Sequence, residues 1–223
     1  MIKLCIFDMD GLLIDSERCM WGVSMHQATV EQGYVPNEDF RRSLLGSNWD
    51  RVGSEYKRFY GPEIDTEKLF ARAFDLNKQI MQEGVPLMKG AREVLDFLHS
   101  AGIKTCIGTT TNRENTMIML KSDNLLDDFD AIVCGDEVKH GKPAPDIYLS
   151  CLSKFDVDKS EVLIFEDGTA GGRAAIAAGM RLVLVPDIAH LEDDVINGAY
   201  KVIEDLSKII DVIKEENEGT TSV

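Results

Sequence analysis

Residues 2–11 read IKLCIFDMDG, and they give the first indication of the fold. Its first six residues form a short apolar run without clear polar alternation, which is typical of a strand buried on both faces of a parallel sheet. Asp8 and Asp10 follow directly, and in extended backbone their spacing places both side chains on one face. Gly11 lets the chain turn sharply away after them. The stretch therefore predicts a buried strand that ends in a pair of carboxylates.

Further apolar runs of this kind predict the remaining strands. They lie at 103–108, 131–134, 161–165 and 181–185, with a short edge strand at 201–203. Helical patterns separate them, at 89–101, 113–121, 144–153 and 169–178. This alternation predicts an α/β fold, with a doubly wound, Rossmann-like parallel sheet and helices on both of its faces.

The segment from residue 16 to residue 86 interrupts the alternation. It holds no convincing strand and reads as helices at 17–32, 37–45, 49–60 and 65–83, which glycines separate. We therefore expect an α/β catalytic core from residues 1–15 and 87–223, with residues 16–86 inserted after the first strand as an all-helical cap. A helical insertion at this place is a natural lid. The polar tail from Glu215 onward is expected to fray.

The charge and the cysteines limit the classes of partner. The chain has 223 residues and a formal net charge of −15, so we expect it to repel nucleic acids and anionic membrane surfaces, which bind clustered Lys and Arg. The five cysteines are scattered without a C-x-x-C pair, which favours small core side chains in a reducing compartment. No apolar run approaches the length of a membrane span. The sequence thus predicts a cytoplasmic protein with neither a nucleic-acid partner nor a membrane partner.

Polar clusters follow three of the predicted strands at the point where each strand ends. Asp8 and Asp10 follow the first strand, residues 109–112 (TTTN) follow the second, and Glu166 and Asp167 follow a later one. In open parallel sheets ligands bind at the carboxyl ends of the strands, so these clusters are expected to converge. Four carboxylates this close would raise one another's pKa unless a cation joined them.

A hard divalent cation would neutralise this concentration of negative charge. All-oxygen ligands suit such an ion, and Mg²⁺ leaves coordination positions for water and for a phosphate group. A single acid behind a strand would more often cap a helix or a turn. Two acid pairs, each behind a buried strand, instead favour a metal site. Within the first pair, one carboxylate can attack an electrophile while the other moves protons.

Taken in order, these motifs resemble the haloacid dehalogenase superfamily, and most closely its phosphatase branch that includes the β-phosphoglucomutase-like enzymes. The resemblance rests on Asp8-Met9-Asp10-Gly11, on Thr109, on the run Gly141-Lys142-Pro143-Ala144-Pro145-Asp146, and on residues 165–180 (FEDGTAGGRAAIAAGM). It covers nearly the whole chain. It implies Mg²⁺-dependent hydrolysis of phosphomonoesters through an aspartyl-phosphate intermediate.

The resemblance also implies a role for each matched catalytic residue. Asp8 would be the nucleophile and a metal ligand. Asp10 would be the general acid and base, and its backbone carbonyl would bind Mg²⁺. Thr109 would hydrogen-bond the transferring phosphoryl group, and Lys142 would balance the charge of that group and of Asp8.

Other residues complete the expected site. The resemblance implies that Asp167 binds the metal directly and that Glu166 binds it directly or through water. The backbone N–H groups of residues 110–112 are expected to open a helix, which makes Thr110 a candidate phosphate-binding residue beside Thr109.

Two differences from the residues of related dehalogenases and mutases favour a phosphatase. Asp10 argues against dehalogenation, because halide-releasing members of the family lack an acid at that position. Sugar-phosphate mutases of the branch carry a cap His and a cap Arg, and the ungapped register places Met20 and Trp49 there. His26 and Arg51 would substitute only if the register shifted. We therefore expect a phosphatase, with a phosphosugar mutase as the alternative.

A phospho-receiver signalling module is a third interpretation, since it too uses an acid cluster, a Thr and a Lys on a doubly wound sheet. The length of 223 residues and the helical insertion disfavour it. The order of the motifs does so as well, because the second acid pair follows the lysine.

The cap offers one candidate substrate contact. By family analogy the segment Leu45-Gly46-Ser47-Asn48-Trp49 would face the core site, and Trp49 would either stack on a sugar or base or pack within the cap. The expected partner is a small phosphorylated metabolite. Its identity stays open, as does the choice between a monomer and a weak dimer.

Overall fold

A six-stranded parallel sheet forms the centre of the larger part of the molecule. We describe a computed structural model of the protein, which covers residues 1–45, 47 and 49–219. The strands are β1 (Leu4–Phe7), β2 (Lys104–Gly108), β3 (Ala131–Val133), β4 (Val162–Glu166), β5 (Arg181–Leu184) and β6 (Lys201–Val202). Their order across the sheet is β3-β2-β1-β4-β5-β6. The predicted α/β fold with a doubly wound parallel sheet is confirmed.

The first strand occupies the middle of this sheet. Phe7 is level with Ile107 of β2 on one side and with Phe165 of β4 on the other. All residues of β1 are buried, and so are those of β4. The absence of polar alternation in these runs follows from helices that cover both faces of the sheet.

The chain divides into two compact units, one formed by Met1–Asp15 with Pro86–Val223 and one formed by Ser16–Val85. The second unit consists of a π-helical turn (Glu17–Gly22), α1 (Val23–Glu31), α2 (Glu38–Arg42), α3 (Trp49–Tyr60) and α4 (Thr66–Glu83). The helix expected at 17–32 is present as the π-helical turn followed directly by α1, with helical backbone angles at Gly22 and Val23. The helix expected at 37–45 ends at Arg42, and Gly46 and Asn48 lie outside the described residues.

The helical unit has a hydrophobic core of its own. Its buried members include Met25, Val52, Tyr56 and Leu69. Side-chain caps set two of its helix starts. The Asn37 carboxamide oxygen accepts from the N–H of Phe40 at 2.8 Å, and Asp65 accepts from the N–H of Lys68 at 3.0 Å. Such caps satisfy N–H groups that the first helical turn leaves free.

In the described part of the sheet-containing unit, residues 1–15 and 86–219, there are six α-helices. They are α5 (Ala91–Ser100), α6 (Arg113–Ser122), α7 (Asp146–Leu152), α8 (Thr169–Ala177), α9 (Asp193–Gly198) and α10 (Ile209–Gly219). Short 3₁₀ turns lie at Leu126–Asp128, Gly135–Glu137, Lys159–Glu161 and Leu206–Lys208. The core between sheet and helices includes Ile6, Tyr148, Ile164 and Ala174, all fully buried. The glycine- and alanine-rich sequence of α8 has small side chains, which allow close packing on the sheet.

The prediction that the chain frays from Glu215 is wrong for the described part of the tail. Helix α10 continues to Gly219, and residues 220–223 lie outside the described residues. Glu216 accepts from the Tyr200 hydroxyl and from Arg181, and Glu215 pairs with Lys201. These contacts hold a polar segment to the edge of the sheet, which composition alone did not indicate.

Among the described residues, no helix is both long enough and apolar enough to cross a bilayer. All five cysteines carry free thiols, and four of them are buried. Cys19, in the π-helical turn, is partly exposed. The buried four therefore pack as small core side chains.

The sheet core gives a first quantitative expectation. Ile164 lies fully buried in β4, between β1 and β5, whereas Ile196 on α9 is 42% exposed. We expect Ile164→Ala to lower the free energy of unfolding by about 3 kcal/mol, through lost burial and the cavity left behind. Ile196→Ala should change it by about 0.5 kcal/mol or less. Urea titration followed by circular dichroism measures both, and equal losses would contradict the described packing.

Candidate active site

The carboxyl ends of three neighbouring strands bring the predicted residues to one edge of the sheet. Asp8 follows β1, Thr109 follows β2, and Glu166 is the last residue of β4. The N–H of Asp8 donates to the carbonyl of Phe165 at 3.0 Å, so pairing between β1 and β4 continues into the site. The register between β1 and β4 therefore positions the backbone of the site.

Three carboxylates form a compact cluster at this edge. One oxygen each from Asp8, Glu166 and Asp167 lies within 4.8 Å of the others, and all three residues are buried. Hard all-oxygen donors at this spacing fit a divalent cation such as Mg²⁺ or Ca²⁺. Three buried carboxylates without a cation would carry a large desolvation cost. The cluster is therefore the candidate metal site.

Lys142 supplies the positive charge that the protein itself brings to the cluster. Its Nζ donates to Asp8 Oδ1 and, at 2.6 Å, to Glu166 Oε1, and its side chain is only 6% exposed. Burial alone would lower the pKa of Lys142, but the carboxylates of Asp8 and Glu166 outweigh burial and raise it. The ammonium group thus stays charged within the fold.

Asp8 is the acid that this environment perturbs most clearly. Burial is the largest cause and raises its pKa from 3.8 to about 7, and the nearby carboxylates of Glu166 and Asp10 add to the rise. Lys142 acts in the opposite direction. A strongly perturbed carboxyl beside a specific charged partner is typical of functional sites.

Asp10 lies in different surroundings from Asp8. Its Oδ2 accepts from the Thr111 hydroxyl at 2.7 Å and from the Thr109 hydroxyl at 3.2 Å. Its carboxylate is not part of the cluster formed by Asp8, Glu166 and Asp167. The structure thus places the expected proton carrier on two hydroxyl groups, beside the metal cluster and outside it.

The loop after β2 differs in part from the expected helix opening. Helix α6 begins at Arg113, and Asn112 caps it by accepting from the N–H of Asn115 at 2.9 Å. The N–H of Thr111 donates to the Thr109 hydroxyl oxygen at 3.1 Å, so the loop already uses that donor internally. Thr109 itself is fully buried, whereas Thr110 is exposed.

Two glycines leave room for the carboxylates. A Cβ on Gly171, in the first turn of α8, would lie 1.7 Å from Glu166 Oε1. A Cβ on Gly11 would lie 2.4 Å from Asp167 Oδ2, and the φ of Gly11 is +80°, which favours glycine. The acidic side chains therefore occupy space that any larger residue at these positions would fill.

Sequence reasoning missed two residues that contact this site. Tyr148, on α7, donates its hydroxyl to Glu166 Oε1, and Thr111 donates to Asp10. Thr111 shares the TTTN cluster with Thr109, and its spacing of two was an available signal. Tyr148 stands in an apolar helical pattern that predicts a core position, so nothing local indicated its polar contact.

Trp49 lies in the helical unit among other aromatic rings. Its ring centroid is 5.4 Å from that of Trp21, 5.1 Å from Phe70 and 4.9 Å from Phe74. It is 42% exposed, so both interpretations of this residue keep support: one part of the indole packs in the unit and another part is open. Of the predicted segment, Gly46 and Asn48 lie outside the described residues.

Comparison with known proteins identifies the family to which the chain belongs. The family model of haloacid dehalogenase-like hydrolases matches residues 5–185. The chain is 32% identical to a probable pseudouridine-5′-phosphatase of Drosophila melanogaster, over 91% of this chain and 89% of that protein. It is 31% identical to a phosphorylated carbohydrates phosphatase of Thermotoga maritima, over 96% of this chain and 99% of that protein.

A solved structure extends the likeness to the fold. The crystal structure of a candidate β-phosphoglucomutase from Thermotoga maritima superposes with a TM-score of 0.82 at 28% identity, covering 96% of this chain and 99% of that one. The chain therefore belongs to the haloacid dehalogenase-like hydrolases. Within them it is a phosphoric monoester hydrolase of the β-phosphoglucomutase-like phosphatase branch.

The position of the Glu166 carboxylate against α8 can be tested by adding one methyl group at Gly171. We expect Gly171→Ala to displace the Glu166 carboxylate, since the new Cβ would overlap Oε1, and to lower the turnover of p-nitrophenyl phosphate about 100-fold. Alanine otherwise favours a helix over glycine, so a loss of activity would not reflect helix propensity.

Gly141→Ala is the matched control, because a Cβ at Gly141 meets no atom within 4 Å outside its two chain neighbours. It should keep turnover within about 3-fold of wild type, in line with the small effect of changes that meet no neighbour. Wild-type turnover in Gly171→Ala would contradict the described position of Glu166.

Proposed function

We propose that the protein hydrolyses small phosphomonoesters with Mg²⁺ through an aspartyl-phosphate intermediate on Asp8. The observation that carries the proposal is the buried cluster in which Lys142 joins Asp8 and Glu166, with Asp167 beside them. Phosphoryl transfer depends on positioning and charge neutralisation, and this cluster offers both.

In the first step, a carboxylate oxygen of Asp8 attacks the phosphorus of the ester. The bond between phosphorus and the leaving oxygen breaks, and Asp10 in its protonated form gives that oxygen a proton. The products are the free alcohol and an acyl phosphate on Asp8. Lys142 offsets the negative charge of Asp8 and of the entering phosphoryl group.

In the second step, water cleaves the acyl phosphate. Asp10, now ionised, accepts a proton from the attacking water, and the Asp8 carboxylate leaves as inorganic phosphate forms. Asp8 returns to its carboxylate form and Asp10 to its protonated form. One residue thus acts as acid and then as base, which microscopic reversibility allows.

The threonines support these steps. Thr109 and Thr111 donate to Asp10 Oδ2, which fixes its carboxyl group in orientation. We assign the phosphoryl contact to the Thr109 hydroxyl and to the loop at Thr110. A bound phosphoryl group would draw the Thr109 hydroxyl from Asp10, at 3.2 Å the longer of the two contacts.

Asp8, Glu166 and Asp167 would hold the magnesium ion, with the Asp10 backbone carbonyl as a further ligand. The bound ion supplies charge neutralisation for the phosphoryl oxygens and for the acidic cluster. The fit rests on oxygen donors within 4.8 Å of one another.

We favour release of free phosphate over isomerisation of a sugar phosphate. By ungapped register, Met20 and Trp49 lie near the positions where mutases of this branch carry a His and an Arg. Two relatives at 31–32% identity are named phosphatases, one of phosphorylated carbohydrates and one of pseudouridine 5′-phosphate. These names support small phosphorylated metabolites as the substrate class. A cytoplasmic location and the lack of a nucleic-acid partner stay predictions.

Asp8→Asn tests the nucleophile directly. The amide cannot form the acyl phosphate, so Mg²⁺-dependent phosphate release over a library of phosphorylated metabolites should fall at least about 1,000-fold, to the background of the assay. Asp211→Asn, at an exposed position on α10, is the matched control and should keep wild-type rates. A near-wild-type rate in Asp8→Asn would refute the proposal.

The same library separates a phosphatase from a mutase. We expect stoichiometric free phosphate from wild-type protein with its best substrate, as detected by molybdate assay, and no isomerised product by ³¹P NMR. An isomerised sugar phosphate with little free phosphate would instead establish the mutase.

We further propose that Trp49 binds the organic part of the substrate by stacking. Trp49→Ala should then raise KM about tenfold with little change in kcat, since stacking on an aromatic ring is worth about 1 kcal/mol or more. Phe59→Ala is the control, because Phe59 lies on the same helix and is 50% exposed. Equal KM values for both variants would leave Trp49 only a packing role.

A further inference from the structure

Tyr148 is a buried polar residue that the proposed mechanism does not use. It lies on α7, its side chain is fully buried, and its hydroxyl donates to Glu166 Oε1. In this contact the tyrosine hydroxyl is the donor, because a carboxylate oxygen only accepts. A buried tyrosine hydroxyl aimed at a candidate metal ligand calls for an explanation.

The two oxygens of Glu166 have unequal surroundings. Oε1 accepts from the Tyr148 hydroxyl and, at 2.6 Å, from Lys142 Nζ. Each carboxylate oxygen offers about two lone-pair sites, so these donors satisfy Oε1. Within the described parts of the chain, Oε2 accepts only from the N–H of Gly168, at 3.5 Å. Oε2 is therefore the oxygen with capacity left for a cation or for its bound water.

The terminal torsion of a glutamate does not by itself choose between its oxygens, because rotation about that bond is broad and roughly two-fold. Two features make the choice here. Gly171 lets the carboxylate lie against α8, and Tyr148 donates to Oε1 from α7. The Tyr148 ring adds a second contact, since Lys142 Nζ lies 5.1 Å from its centroid, within the range of a cation–π interaction.

We propose that Tyr148 is a positioning residue of the metal site: its hydroxyl holds Glu166 Oε1 on the side of Lys142, so that Oε2 faces the cation. This inference rests on the proposed Mg²⁺-dependent function. Partners that orient a metal ligand typically change metal affinity 10- to 100-fold when they are removed.

Tyr148→Phe isolates the hydroxyl, because the ring beneath Lys142 stays. Without substrate, the midpoint of a Mg²⁺ binding titration followed by isothermal titration calorimetry should increase about tenfold. In activity assays, the Mg²⁺ concentration for half-maximal rate should increase by the same factor, while kcat at saturating Mg²⁺ stays within about threefold. A purely structural role would lower the Tm of the metal-free protein and leave both Mg²⁺ midpoints unchanged.

The chain offers a closely matched control in Tyr200→Phe. The Tyr200 hydroxyl also donates to a glutamate, Glu216, which Arg181 also contacts, and the Arg181 guanidinium lies 5.3 Å from the Tyr200 ring centroid. The same atoms are therefore removed from the same kind of triad outside the site. Tyr200→Phe should leave both Mg²⁺ midpoints at their wild-type values.

A double-mutant cycle links the effect to Glu166. In a Glu166→Gln background, Tyr148→Phe should produce less than a twofold further change in the Mg²⁺ midpoint, because the carboxylate that it orients is gone. Tyr148→Leu, which also removes the ring, should weaken Mg²⁺ binding at least as much as Tyr148→Phe.

The outcomes separate this inference from the function on which it rests. Unchanged Mg²⁺ midpoints in Tyr148→Phe, or equal shifts in Tyr148→Phe and Tyr200→Phe, overturn the role of Tyr148 and leave the phosphatase untouched. A full tenfold effect that persists in the Glu166→Gln background overturns it too. Wild-type protein that shows neither a Mg²⁺-dependent Tm nor Mg²⁺-dependent phosphate release overturns both proposals together.

Discussion

The ammonium group of Lys142, held between the carboxylates of Asp8 and Glu166, is the interaction on which the site depends. Its side chain is 6% exposed, and the two carboxylates that it joins are buried as well. Removing one partner of such a buried pair leaves an uncompensated charge, which costs far more than loss of a surface ion pair. The strand ends bring the acids together, and the positive charge of Lys142 compensates part of the cost of burying their negative charges.

Asp8 and Asp10 lie only two positions apart in sequence, but Lys142 contacts Asp8 and so gives the two aspartates different surroundings. Asp8 lies in the lysine-bridged cluster, where burial raises its pKa to about 7, and Asp10 lies on the hydroxyls of Thr109 and Thr111. Environments that separate two like acids allow one to attack while the other transfers protons. The roles proposed for Asp8 and Asp10 agree with the direction in which β1 ends and with the loop after β2.

Much of this arrangement could be predicted from the sequence. The buried parallel strands are recognisable in the sequence as apolar runs. The acids that follow β1 and β4 meet because neighbouring parallel strands end at the same edge of the sheet. The contact between Tyr148 and Glu166 could not be predicted, since the local pattern of Tyr148 is that of a core helix and its partner is 18 positions away. The helical structure at the C-terminal end of α10 was not predicted for the same reason. Glu216 is held by Tyr200 and Arg181, which only the fold brings near to it.

The central position of β1 has a consequence for the order of folding. Residues 4–7 pair with residues 104–107 and with residues 162–165, so both partners are synthesised long after the strand itself. The core of the inserted helical unit, in contrast, draws on Ser16–Val85 alone. Closing long loops slows the pairing of distant strands, while local helical contacts form early. Asp8, the proposed nucleophile, is thus made well before the two strands that flank β1.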